Sequence, residues 1–196
     1  MNRLILASSS PRRKFLLESI GYYPHKIVAS QVDETPYKKE LPAKLVERLA
    51  MNKALEVAKN YPDDIVLAAD TVKARGRLII PKPKEESEAI KFLKLLSGRR
   101  HTIYTAVCII KGEKKICKTV QTKAKLKLLT DDEIKCLVQS NEWKDKSGGY
   151  ALQGVGGAYI SWINGSPSNA IGLPVHEVYK ILNGLGLKQK IIKVYL

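Results

Sequence analysis

The chain has 196 residues, 44% of them hydrophobic and 27% charged, with a formal net charge of +15. That composition excludes a disordered polymer and leaves room for one domain, or two small lobes, around a sizeable core. No run approaches the roughly 18 uncharged apolar residues of a membrane span, and the excess positive charge favours polyanionic ligands without choosing among nucleotides, nucleic acid and anionic lipid.

The first elements follow from short patterns. Residues 3–7 form an apolar run that reads as a buried strand. The opening MNRLILASSSPRR has only four apolar residues in a row, too few for a signal-peptide core, so a cytoplasmic protein is expected. Ser10 can cap a helix whose first turn takes Pro11 and whose end falls at Gly21; Phe15, Leu16 and Ile20 would be its inner face. A strand over 26–30 follows, then a helix over 41–60 with Leu45, Leu49 and Val57 inward. Residues 65–69 are a continuous apolar run ending at Asp70, as in a central strand. A short strand at 78–80 precedes Pro81-Lys82-Pro83.

A helix over 84–96 closes at Gly98. Residues 101–111 and 115–129 read as a long hairpin about Gly112-Glu113, and this block, roughly 99–150, would form a second lobe of one domain spanning 1–196. Thr130-Asp131-Asp132-Glu133 is a capping box. Residues 141–157 form a glycine-rich loop, 158–163 a strand, 164–173 another loop, 174–183 a helix and 191–194 a last strand. Strands alternating with helices predict an α/β domain.

Cysteines are three and unpaired by any CxxC spacing: Cys108, Cys117 and Cys136. Reduced thiols are expected, with Cys108 in the core. Lys111, Lys114, Lys115, Lys118, Lys123, Lys125 and Lys127 crowd one region. The last three alternate with apolar residues, which puts them on one strand face. That face reads as a solvated surface guarding against edge pairing, or as a nucleic-acid contact patch.

Four features could carry chemistry. Ser8, Ser9 and Ser10 stand where a strand hands over to a helix, with Arg12 and Arg13 in its first turn. Helix amino termini offer N–H groups and partial positive charge to phosphate, and arginine adds bidentate bonds. Cations are unfavourable for the helix there, so two arginines call for another reason. A serine cap with two solvated arginines is the competing reading. Asp70 ends an apolar strand at the usual ligand edge of an α/β sheet, or simply closes an Asx turn. Asp33 and Glu34, with Asp70, could hold magnesium. Lys53 and Lys82 complete the set. His25, His101 and His176 lack ligand spacing, and no HExxH, Walker A, GxSxG or CxxC motif occurs.

Together these features resemble the Maf family of nucleotide pyrophosphatases. The resemblance rests on LASSSPRR at 6–13, VDET at 32–35, AADT at 68–71, KPK at 82–84, LSGRRHTIYTAV at 96–107, DKSGGYALQG at 145–154 and NGSPSNAIGLP at 164–174, in one order along nearly the whole chain. It implies an elongated mixed β-sheet flanked by helices, with two lobes around a deep cleft, similar to inosine-triphosphate pyrophosphatases. It implies hydrolysis of a nucleoside triphosphate to the monophosphate and pyrophosphate with a divalent metal (Mg²⁺, Mn²⁺ or Co²⁺).

Carried over position by position, the resemblance makes Asp70 the proton acceptor. Ser8, Arg12, Arg13, Lys53 and Lys82 become substrate contacts, and Glu34 stands with Asp70 at the metal. Arg13, Thr71 and Gln153 match the branch acting on dTTP and UTP, so a normal or modified pyrimidine nucleotide is the expected substrate. The chain departs from the family pattern at Pro81, where glycine is usual, at Pro167, where tyrosine is common, and at Lys73, where an apolar residue is usual. A homodimer without membrane attachment is the implied assembly. The alternative functions are a regulator arresting septum formation at cell division through a partner, and a basic nucleic-acid-binding module. Low aromatic content and the lack of a stacking platform weigh against the last.

Overall fold

The computed structural model describes residues 3–190. Its strands are β1 Leu4–Leu6, β2 Lys26–Ile27, β3 Ile65–Arg75, β4 Leu78–Ile80, β5 Arg100–Lys111, β6 Lys114–Leu126 and β7 Ile160–Asn164. Its helices are α1 Pro11–Ser19, α2 Pro42–Ala58, α3 Glu86–Leu96, α4 Asp131–Gln139, α5 Pro167–Ile171 and α6 Val175–Gly184. The strands form one mixed sheet in the order β2-β1-β3-β5-β6-β7, with β4 pairing β3. The α/β class and the mixed sheet therefore stand as expected. The strand anticipated at 191–194 lies outside the described residues.

Two compact units divide the chain. Within the described residues the first takes 3–70, 105–120 and 172–190, and the second takes 71–104 and 121–171. The hairpin β5–β6 is shared: its tip belongs to the first unit and its base to the second.

In the first unit β1 runs parallel to both β2 and β3, in the registers Leu6↔Ile27 and Leu6↔Leu67. Leu4 to Ala7 and Ile65 to Ala69 are almost fully buried, which is why both read as continuous apolar runs rather than alternating ones. Arg3 clamps Asp64 with two bonds, Nε to Oδ1 at 2.9 Å and Nη2 to Oδ2 at 3.0 Å, so the strand starts are locked side by side. Helix α1 begins at Ser10 and Pro11 as anticipated, yet the Ser10 side chain makes no cap bond. Its inner face is Leu16 and Leu17, not Phe15, which is 70% exposed. Gly21 follows at φ +77°, where a Cβ would stand 2.9 Å from the Lys190 carbonyl; only glycine fits there.

The second unit packs α3 and α4 over its strands. Ile80, Leu93, Leu96, Leu126, Leu137 and Trp143 are among its core residues. The Thr130 capping box is complete, each half of it made. Residues 164–173 are not all loop: α5 forms, and Asn169 within it is fully buried, donating to Thr122 Oγ1 at 2.9 Å. A five-residue helix has too little periodicity to register in sequence.

One expectation is overturned outright. Cys108 and Cys117 face each other across the hairpin, Cα atoms 4.1 Å apart, and are disulfide-bonded; Cys136 is the free, exposed cysteine. Two cysteines nine residues apart lack any sequence signature for pairing, but a hairpin turning at Gly112 sets them opposite. Cys108 is a core residue, as anticipated. The lysine cluster is also not uniform. Lys127 pairs with Glu133 through two bonds, and Lys111 donates to the Leu185 carbonyl. Lys114, Lys115, Lys118 and Lys123 are exposed.

Candidate active site

In the first unit the registers of β1 and β3 bring two chemistry-bearing segments to one edge. Ala7 N donates to Leu67 O at 2.8 Å. Two residues beyond the last registered pair lie Ser8 on one strand and Ala69 on the other, beside Asp70. This is the carboxyl edge of parallel strands, where α/β sheets hold their ligands.

Asp70, 6% exposed, accepts a hydrogen bond on Oδ1 from Lys53 Nζ at 2.6 Å. The same ammonium donates to Glu34 Oε1 at 2.5 Å. Lys53 comes from α2, its stem buried beside Leu49, Ala50 and Val57 on the inward face of that helix. Glu34 reaches it because its loop is tied to the same helix. Arg48 of α2 donates twice to Glu40, both at 2.8 Å, and once to the Thr35 carbonyl; that pairing holds the Glu40 carboxyl below its usual range. Asp33 turns inward on its own loop, accepting from Thr35 N at 2.9 Å. Its carboxyl is lowered by the hydrogen bonds from Thr35, and Glu34 is the neighbour left facing Lys53.

The second cluster is the serine–arginine loop. Arg13 Nη1 donates to Ser8 Oγ at 3.1 Å and Arg13 Nε to the Gly172 carbonyl at 3.0 Å. Ser8 Oγ also accepts from Ser10 N. Burial pulls the Arg13 guanidinium below its ordinary pKa, opposed by the Asp70 and Glu34 carboxylates. Arg13 therefore braces the loop from inside while adding positive field towards Asp70. Arg12, half-buried, occupies the same first helical turn.

The donor set fits a hard cation. Two carboxylates share one ammonium, leaving one net negative charge among those three groups. The two bonded oxygens lie at most about 5 Å apart, since one nitrogen touches both. Among the described residues no group of three or more His, Cys, Asp or Glu gathers. Glu34 and Asp70 thus suit an ion completed by phosphate oxygens and water rather than an all-protein cage.

Thr71, Lys82 and Gln153 fall in the second unit. Thr71 follows Asp70 directly on β3 and is half-buried; Lys82 and Gln153 are exposed. Pro81, which stands just before Lys82, uses its carbonyl to accept from Gly148 N at 3.1 Å. The lysine loop is thereby joined to the glycine loop.

Sequence patterns alone missed residues that brace these segments, Gly172 in the first unit and Ser147 and Tyr150 in the second. Gly172 contributes only a carbonyl, which side-chain reading cannot see. Ser147 and Tyr150 act through Lys73: Lys73 N donates to Ser147 Oγ and Lys73 Nζ to the Tyr150 carbonyl, both at 2.7 Å. A lysine inside a strand with Ala74 beside it was the available signal. His101, lacking ligand spacing, meets Tyr150 Oη through Nε2 at 2.6 Å.

Comparison with known proteins follows the same lines. A family model described as "Maf-like protein" matches residues 3–185. The nucleoside triphosphate pyrophosphatase of Anaplasma phagocytophilum is 44% identical over 186 residues, covering 94% of this chain and 96% of that protein. The dTTP/UTP pyrophosphatase of Sphingopyxis alaskensis is 45% identical over 188 residues, covering 95% and 98%. Among solved structures, the Staphylococcus aureus Ham1 protein aligns with 64% of this chain and 72% of its own at 15% identity and a TM-score of 0.46.

Proposed function

The chain belongs to the Maf-like protein family, and on that premise we propose that it hydrolyses nucleoside triphosphates to the monophosphate and pyrophosphate. The observation that carries the reading is the Glu34–Lys53–Asp70 cluster beside the Ser8–Arg13 loop, at the carboxyl edge of β1 and β3. Relatives named dTTP/UTP pyrophosphatase at 42–45% identity support a pyrimidine triphosphate as substrate. Arg13, Thr71 and Gln153 are the residues assigned to that choice.

The division of labour follows from position. The amino end of α1, uncapped by its serine side chain, receives phosphate oxygens with Arg12. Arg13 keeps that loop in shape. Lys82, exposed on its proline-flanked loop, and Lys53 offset charge that builds on the departing pyrophosphate. Asp70 orients the attacking water at the α-phosphorus and accepts its proton. Glu34 and Asp70 would hold a divalent cation, which supplies Lewis-acid polarisation of phosphate oxygens when bound. As substrate oxygens enter, Lys53 can exchange one carboxylate contact for a phosphate one.

Product identity tests the reading. With dTTP and magnesium, the purified chain should release pyrophosphate and dTMP in equal amounts. Orthophosphate with dTDP would make it a phosphatase acting at the γ-phosphorus, and no turnover of any triphosphate would refute hydrolysis.

A further inference from the structure

We infer that Lys73 is a positioning residue for base selection: its buried side chain holds the segment leading to Gln153 against the strand that carries Thr71. The inference rests on the proposed function for the meaning of Thr71 and Gln153, and on the geometry of the second unit for everything else.

Lys73 lies on β3 and is only 6% exposed. Thr71 and Lys73 are two residues apart on one strand, so both project from the same face. The Lys73 ammonium donates to the Tyr150 carbonyl at 2.7 Å and lies 3.5 Å from the centroid of the Tyr150 ring. Its backbone N–H donates to Ser147 Oγ, and that hydroxyl donates to the Ile80 carbonyl at 2.5 Å. Gly148 lies against the lysine stem; a Cβ there would meet Lys73 Cδ at 3.1 Å. The Lys73 side chain therefore meets Gly148 and Tyr150, while its backbone holds Ser147. Tyr150 is held a further time at its hydroxyl by His101. Gln153 follows three residues later, and is exposed.

Energetics argue that the charge is there for this purpose. Burying an ammonium costs several kcal/mol before its partners repay it. A methionine would fill similar volume without that cost. What methionine cannot do is donate to the Tyr150 carbonyl. A buried charge that donates to a loop carbonyl and lies on a ring of the same loop specifies where that loop sits. The loop fixed in this way is the one that ends at a base-contacting residue.

The test compares Lys73→Met, Lys73→Arg and Tyr150→Phe with the native chain. The last loses the hydroxyl contact with His101 but keeps the carbonyl held by Lys73. Steady-state kinetics are measured on dTTP and dGTP with pyrophosphate detection, together with hydrogen exchange of segment 147–157. Lys73→Met should raise KM for dTTP about tenfold with kcat within about twofold, and should cut the dTTP-over-dGTP preference about tenfold. Exchange in 147–157 should quicken in Lys73→Met and not in Lys73→Arg, which retains donor and charge and should keep the preference. Tyr150→Phe should lower the thermal midpoint and leave the preference intact.

If Lys73→Met lowers the thermal midpoint like Tyr150→Phe with KM, preference and exchange unchanged, the lysine merely packs and the inference fails. Should Lys73→Met not fold, a folded Lys73→Arg that loses the preference overturns it, and one that keeps it supports it. If the native chain turns over no triphosphate, the proposed function fails instead; the exchange data still decide whether Lys73 holds the loop.

Discussion

Lys53 is the residue on which the site's electrostatics turn. It was read in the sequence as one of several cations for phosphate, and nothing at a spacing of 17 or 19 residues could reveal that it lies between Asp70 and Glu34. Asp70 was legible because an acid ending an apolar run is unusual by itself. Lys53→Met removes the partner of a buried carboxylate and should destabilise the fold by about 3 kcal/mol. Adding Asp70→Asn to it should recover part of that loss, since the uncompensated charge is then gone. Urea midpoints for the two single variants and the double variant check this.

His101 carries the residue-scale pH dependence. It is 2% exposed, and burial first, then the nearby Lys73 charge, push its pKa down to about 4. An unfolded imidazole near 6.5 binds a proton that the folded one refuses. The stability it confers is therefore complete above pH 6.5 and is lost as pH falls from about 6.5 to about 4, by up to about 3 kcal/mol. The carboxyls of Asp64, Glu40 and Glu133 are depressed by their cationic partners and add losses only below their own ordinary range. Unfolding free energies at pH 7.5 and 4.5 should differ in the native chain, and His101→Gln should flatten that difference.

At the scale of elements, a strand buried on both faces and helices with marked ends were readable: β1, α2 and α3 stand close to their expected spans, and α4 opens at its capping box. The failures have physical causes. β3 runs on to Arg75, past the acid at Asp70, because antiparallel β4 pairs with Lys73 to Arg75. Phe15 faces solvent because the helix presents Leu16 and Leu17 inward, a rotation that three apolar residues in a row could not fix. Gly148 illustrates an element that depends on one backbone setting. It holds φ +72° with a missing Cβ that would meet Lys73 Cδ at 3.1 Å and Leu96 Cδ1 at 3.2 Å. Gly148→Ala combines left-handed strain with overpacking and should cost about 2 kcal/mol, read as a lower thermal midpoint. A matching change at Gly112, also at positive φ but with nothing within 4 Å, should cost about 1 kcal/mol from backbone strain alone.

At the scale of the whole molecule, the division into units was the least legible feature. Each unit is assembled from segments far apart in sequence, and β3, β5 and β6 each contribute to both. Periodicity sees elements one at a time and cannot see a strand shared in this way. The disulfide escaped for a related reason: it depends on hairpin register, not on a motif. Thiol titration of the denatured, unreduced chain should find one of three cysteines reactive, Cys136, and all three after reduction. Three reactive thiols without reductant would contradict the pairing. No helix among the described residues is long and apolar enough to cross a membrane, in line with the hydropathy of the sequence.

The central claim, that the buried Asp70 carboxylate inside β3 runs pyrophosphate release, is tested most directly by Asp70→Asn. The amide keeps the shape and loses the proton acceptor. With dTTP and magnesium, and with folding verified by thermal midpoint, pyrophosphate release should fall by about a hundredfold or more. Release within about threefold of the native rate would contradict the account.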